Sequence, residues 1–298
     1  MKERMGEMIL IENEHLLVEI ANKGAEIRSI WHKGREKQLM WDGDPAYWGR
    51  VSPVLFPIVG KLKDNQYTHK GDTYKLPQHG FLRDQVFVTN TLKQEEALFH
   101  FESSNQFADV YPFEFTAYIK YTLEGNTLKV SWKVSNDNNE PMYFSIGAHP
   151  AFNIPFREDG QLADYELDIQ PGEGIKQYEL KDGFVQEKQQ ETVATTLSLT
   201  DDLFATDALI YENANKITLR STKDKTEQIT VQFPDFPYVG VWSKYNEEDQ
   251  SIAPFVCIEP WFGHADTPET SGELSKKKGI QTLQAYESFE ASYTMTFS

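Results

Sequence analysis

An all-β fold, a large antiparallel β-sandwich, is what this sequence predicts, and three observations predict it. Short runs rich in apolar, aromatic and β-branched residues recur along the whole chain. Gly, Asn and Asp turns separate them. No segment keeps the 3.6-residue apolar period of an amphipathic helix for more than about two turns. The 298 residues carry no Pro/Ser/Gly-rich linker and no repeat period, so one domain over 1–298 is expected.

Residues 16–20 and 25–31 read as strands, followed by a turn at His32-Lys33-Gly34-Arg35. Residues 67–69 and 73–76 flank Lys70-Gly71-Asp72 as a short hairpin. A longer hairpin joins 115–123 to 128–134 across Glu124-Gly125-Asn126. Its second arm alternates Leu128, Val130, Trp132 and Val134 at period two, the mark of a half-buried strand. The polar loop 136–139 leads into the apolar run 143–146, and further strands are read at 165–169, 207–211, 217–220, 229–233, 238–242, 255–259 and 289–297.

Two of these strands carry the chemistry. The run 143–146 leads through Gly147-Ala148 to His149-Pro150-Ala151-Phe152-Asn153, and 255–258 leads directly to Glu259-Pro260-Trp261-Phe262-Gly263. Proline donates no ladder hydrogen bond and holds the residue before it extended, so each strand is expected to stop there. A histidine and a glutamate at strand ends beside aromatic residues suit an acid–base pair lining an apolar cleft. Trp261 offers a flat face to a ligand or packs in the core, whereas Phe262 and Phe152 read as core.

Two more segments stand out. The run 50–60 packs Arg50, Pro53, Pro57 and Gly60 into an apolar stretch, which by itself reads as an edge strand whose arginine reaches to water. Gln78-His79-Gly80-Phe81 places a histidine on a loop, with Arg83-Asp84 just beyond.

Together, the arginine-led segment 50–60, Gln78-His79-Gly80-Phe81, Gly147–Phe152 and Ile258–Trp261, in that order, resemble the aldose 1-epimerase (galactose mutarotase-like) superfamily, in its LacX-like bacterial branch. The resemblance spans essentially the whole chain. It implies a β-sandwich with a carbohydrate cleft on a concave face, and interconversion of the α and β anomers of an aldose without a cofactor. It implies His149 as general acid and Glu259 as general base, with Arg50, His79 and Asp207 binding the sugar. The arginine-asparagine-arginine pattern of the galactose-specific branch is missing around Arg50, so galactose is not implied as the preferred sugar.

The chemistry agrees from first principles. Opening a cyclic hemiacetal takes a proton from the anomeric hydroxyl and gives one to the ring oxygen; rotation about the first carbon–carbon bond precedes the reverse steps. A carboxylate suits the first transfer and an imidazolium the second. Opposite charges favour those states, whereas burial favours the neutral ones. Arg50 and Arg83 together suit a phosphate, so a hexose 6-phosphate is an alternative substrate to a free hexose. A non-catalytic carbohydrate-binding or sensing protein is the rival from another class.

Composition excludes other classes. With 29 Lys and Arg against 46 Asp and Glu, the formal charge of −17 repels nucleic acid and anionic lipid. The single Cys257 lies in an apolar run and reads as a buried hydrophobe, which leaves no disulfide framework. The N-terminal residues 1–8 lack a signal peptide's apolar core, and no apolar stretch approaches the roughly 20 residues of a membrane span, so a cytoplasmic protein is expected. No metal is expected: His264-Ala265-Asp266 has the spacing of an iron facial triad, but no histidine follows it. Phosphate-loop, dinucleotide and Gly-x-Ser-x-Gly patterns do not occur. The partner expected is thus a small aldose, free or phosphorylated; nothing is read about oligomeric state.

Overall fold

The alternation at Leu128, Val130, Trp132 and Val134 turns all four side chains into the core from the strand Thr127–Asn136. Its partner Phe115–Glu124 buries Phe115, Ala117, Ile119, Tyr121 and Leu123 in the same way, and the two pair antiparallel across Gly125-Asn126. Apolar faces of this kind must be covered by a second layer. A four-stranded sheet contributes to that cover: Met8–Glu12, Leu16–Ala21, Glu26–His32 and Lys37–Gln38. Its inward residues Ile11, Leu16, Val18 and Ile27 join the same core, and the Tyr121 hydroxyl donates to Ala25 O at 2.6 Å.

These elements come from a computed structural model, which describes residues 8–156, 159–186 and 193–298. The charged residues 1–7, part of the segment read above as lacking a signal peptide, lie outside them. Among the described residues the main sheet has 15 strands. From one edge it runs Val54–Leu55, Ile146–Ala148, Phe255–Phe262, Tyr238–Trp242 and Leu209–Ser221. It continues through Gln228–Gln232, Ser288–Phe297, Thr127–Asn136 and Phe115–Glu124 to Glu96–Glu102 and Val88–Lys93. Among the described residues the helices are short 3-10 turns, and none is long and apolar enough to cross a membrane.

Three expectations need correcting. Pro260 does not end its strand, which runs on to Phe262. On one side of this strand the neighbour changes from Ala151–Asn153, paired at residues 255–257, to Ile146–Ala148, paired at residues 261 and 262. Pro260 falls in that gap, where no ladder donor is required. Residues 207–211 and 217–220 are not two strands: Leu209–Ser221 is continuous, pairing with Tyr238–Trp242 along its first half and Gln228–Gln232 along its second. Asp207 lies just before it, at a φ of 146°. The strand read at 165–169 extends to Lys181, across a register shift between Gln170 and Lys176 that takes up Pro171-Gly172. The segment 50–60 contributes only Val54–Leu55 to the sheet edge.

Candidate active site

His149 and Glu259 both reach one cleft. Its volume is about 1190 Å³, and Arg50, His79, Arg83, His149, Asp207, Glu259 and Trp261 all line it. His149 stands just past Ile146–Ala148, and Ile258 N–H donates to Pro150 O at 3.2 Å, which sets the histidine beside the glutamate strand. His149 Nε2 and Glu259 Oε2 are 3.2 Å apart, with side chains only 8% and 2% exposed. Trp48 stacks on the imidazole at 4.6 Å between ring centres, and Trp242 meets it edge-on at 5.8 Å.

That enclosure sets the charge states. Burial pushes the His149 imidazole down to about 3, opposed by its own backbone and assisted by the Arg83 and Arg50 guanidinium groups. Burial raises the Glu259 carboxyl well above the usual range, the Asp207 carboxylate adds to the rise, and the nearby Trp261 indole N–H partly offsets it. The indole nitrogen falls short of a full hydrogen bond. Of the two opposed effects set out above, desolvation wins: burial favours the neutral imidazole and the neutral carboxylic acid.

The sign of the resulting pH dependence follows. The raised Glu259 carboxyl contributes stability that is complete below its unfolded value of about 4.5 and is lost as pH rises toward its folded value. The lowered His149 contributes stability present above about 6.5 and lost as pH falls toward 3. Glu259→Gln should therefore be more stable than the wild type at pH 8. Its advantage should grow above pH 5 by up to about 1.4 kcal/mol per pH unit while the native carboxyl stays protonated. Urea titrations of both proteins from pH 5 to 8 measure this; an advantage that stays constant with pH would contradict the protonated carboxyl.

The sugar-binding candidates sit on neighbouring walls. Gly60 N–H donates to His79 Nδ1 at 3.1 Å and His79 N–H donates back to Gly60 O at 3.0 Å, so the loop histidine is tied to the end of the arginine-led segment. With Nδ1 accepting, the neutral ring carries its proton on Nε2. Burial and the neighbouring His149 and arginines hold His79 well below its ordinary value, and hence neutral. Gly80 is required next to it: its φ is +67° and an added Cβ would stand 2.2 Å from Phe56 O. Arg50 Nη2 donates to Asp84 Oδ1 at 2.9 Å, and its backbone is placed by buried Glu26, which accepts from Val51 N–H and Ser52 N–H. Arg83 donates to Gln78 O at 2.8 Å and, being largely desolvated beside Arg50, is lowered to about 10. The Asp207 carboxyl is raised by burial, against the Ala208 N–H and Lys244.

Trp261 lies 5% exposed on the cleft floor, between two glycines on adjacent strands. A Cβ on Gly240 would come within 2.3 Å of the indole, and one on Gly147 within 2.6 Å. Gly240→Ala should therefore displace the ring, cost about 1–3 kcal/mol of stability and weaken sugar binding; unfolding midpoints and tryptophan fluorescence on titration with sugar check both. Phe152 is fully buried and Phe262 packs on Phe236 and Phe289, as core. His264 and Asp266 are both buried but serve the fold: His264 Nδ1 meets Ala265 O at 2.7 Å, and Asp266 pairs with Lys277 at 2.7 Å.

Sequence reasoning missed Trp48, Trp242, Lys61, Gln78 and Lys244, which also line the cleft. Trp48, two positions before Arg50, and Trp242, at the end of the strand Tyr238–Trp242, carry no local pattern that marks a ligand.

An antiparallel sandwich with a buried His–Glu pair opening onto a cleft defines a class, and the comparisons agree with it. The chain belongs to the aldose 1-epimerase family, whose profile matches residues 7–280. It is 37% identical to a galactose mutarotase related enzyme from Lactobacillus acidophilus, with a TM-score of 0.92 over 98% of this chain and 97% of that one. A galactose mutarotase-like protein from Lactobacillus casei is 31% identical, with a TM-score of 0.90 over 98% of this chain and 100% of that one. Protein LacX of Lactococcus lactis subsp. lactis is 28% identical over 307 residues, covering 97% of this chain and 98% of LacX. The LacX-like branch read from the four motifs is the branch to which the chain belongs.

Proposed function

We propose that this protein is an aldose 1-epimerase that interconverts the anomers of a hexose by general acid–base catalysis. The observation that supports it is the 3.2 Å contact of two buried, oppositely chargeable groups, His149 and Glu259, on the floor of an open cleft. A sugar hydroxyl donating to Glu259 favours the ionised carboxylate, and the carboxyl proton passes across the 3.2 Å contact to His149. Glu259 then takes the anomeric proton and His149 protonates the ring oxygen; after rotation about the first carbon–carbon bond the same groups reverse both transfers. His79 offers its Nε2–H to an oxygen of the sugar, Arg50 and Asp207 bind further hydroxyls, and Trp261 presents an apolar floor. Anomer exchange followed by NMR or polarimetry on several aldoses tests this. Exchange no faster than in water, with sugar still bound, would leave the carbohydrate-binding reading in its place.

A phosphorylated hexose is the second reading, favoured by a specific feature. Arg50 and Arg83 line the same cleft, and the Arg83 Nε is buried without a hydrogen-bond partner among the described residues. Planar guanidinium forks of this kind suit a phosphate. Arg83→Leu should lower kcat/KM for a hexose 6-phosphate by roughly 10–100-fold, the worth of one charge-assisted contact, and spare the free hexose. An equal effect on both substrates would remove the phosphate reading.

A further inference from the structure

Cys257 plays no part in the acid–base chemistry, yet it lies directly behind it. Residues two apart on a strand share a face, so Cys257 and Glu259 of Phe255–Phe262 point the same way, and the pairing of Cys257 with Ala151 brings the His149 turn alongside. One donor atom from each of His149, Cys257 and Glu259 lies within 4.8 Å of the other two, and all three residues are buried. We infer that these three side chains form a binding site for a single thiophilic divalent cation, with Zn²⁺ as the type, and that occupation of this site shuts off the proposed proton transfers.

The geometry fits the ion. Nitrogen and oxygen ligands bond zinc at about 2.0–2.2 Å, so two of them at a tetrahedral angle stand roughly 3.3 Å apart. His149 Nε2 and Glu259 Oε2 are 3.2 Å apart before any ion arrives. A zinc–sulfur bond of about 2.3 Å asks the thiol to close in by roughly an ångström at most. The chemical mix of one thiolate, one imidazole and one carboxylate suits zinc or cobalt(II) and not magnesium or calcium, which take oxygen ligands. His149 and Glu259 line the cleft and Cys257 does not, so the ion would enter from the cleft and keep its fourth position toward it. Among the apolar neighbours of Cys257, including Trp41, Ala151 and Phe255, no group competes for the metal. Binding releases the thiol proton and any proton held by the Glu259 carboxyl, leaving neither catalytic group free.

The inference stands apart from the proposed function because its first readout is not activity. Cobalt(II) added to the metal-free wild type should bind one ion per chain, with a near-ultraviolet thiolate-to-metal absorption and the intense visible bands of a tetrahedral site. Zn²⁺ should displace it, and Zn²⁺ added to the metal-free protein should release protons into a weakly buffered solution. Cys257→Ala should lose the thiolate band and at least about tenfold in metal affinity, with anomer exchange kept when no metal is present. Cys257→Ser, which preserves the side chain's volume, should also lose the band. If the wild type catalyses exchange, Zn²⁺ should inhibit it in competition with sugar, and Cys257→Ala should resist. Cobalt binding without a thiolate band, equal zinc inhibition of wild type and Cys257→Ala, or faster exchange with zinc would each overturn the inference. A wild type that shows the band but no exchange retains the metal site and loses the epimerase reading instead.

Discussion

Glu259→Gln should keep the fold and bind sugar but lose anomer exchange by about 10²–10⁴-fold, roughly 3–5 kcal/mol of barrier. The amide matches the acid in shape and still hydrogen-bonds a hydroxyl, but it cannot accept the anomeric proton. Burial helps the variant fold, because a neutral amide replaces a carboxyl that the closed site already holds in its neutral form. His149→Asn should fall by a similar factor from the acid side. The double variant should be little worse than the poorer single, because two groups that pass one proton between them act as a unit. Exchange rates and sugar affinities on the same set of proteins decide the matter. Wild-type-like exchange in Glu259→Gln sinks the mechanism, and a fully additive double variant shows that the two groups act separately.

Asp266→Ala should destabilise the protein by about 3–5 kcal/mol, the loss seen when one member of a buried ion pair is left alone. Asp266 and Lys277 meet at 2.7 Å with side chains 3% and 4% exposed, and burial alone lowers the lysine from its ordinary value. The pair also organises the cleft wall. Asp266 Oδ2 accepts from Lys63 N–H at 2.9 Å, and Asp266 N–H donates to Lys61 O at 2.9 Å, which fastens the chain after Gly60 to the one after Gly263. The paired replacement Asp266→Asn with Lys277→Met removes both charges and keeps an oxygen for Lys63, so it should recover most of the loss. Thermal and urea unfolding of the three proteins measure this. A loss below about 1 kcal/mol in Asp266→Ala would mean that Lys277 finds water or another partner when left alone.

How much of this was legible in the chain depends on the range over which each feature is decided. Period-two alternation at residues 128–134 is local, and it marked a real buried face. Proline signals were less reliable, because whether a proline stops a strand depends on what lies beside it: Pro150 falls between two short strands, whereas Pro260 sits inside a long one. In the same way the strands read at 207–211 and 217–220 left a break between them, yet Leu209–Ser221 runs through it, with Asn213 at a φ of 62° taken up as a local irregularity between its ladder partners. A propensity is a preference of a few tenths of a kcal/mol, and a ladder overrides it.

The sequence by itself determined the family, the β-sandwich class and the seven cleft-lining candidates, since four ordered motifs and the strand pattern are written in residue types. Only the tertiary structure decided the state of those residues. It set His149 against Glu259 at 3.2 Å, covered the imidazole with Trp48 and paired Arg50 with Asp84. It also gave Asp266 a lysine partner 11 positions on. The physical reason is that charge and protonation follow from desolvation and from neighbours remote in the chain. Those exist only once the sheet has closed around them.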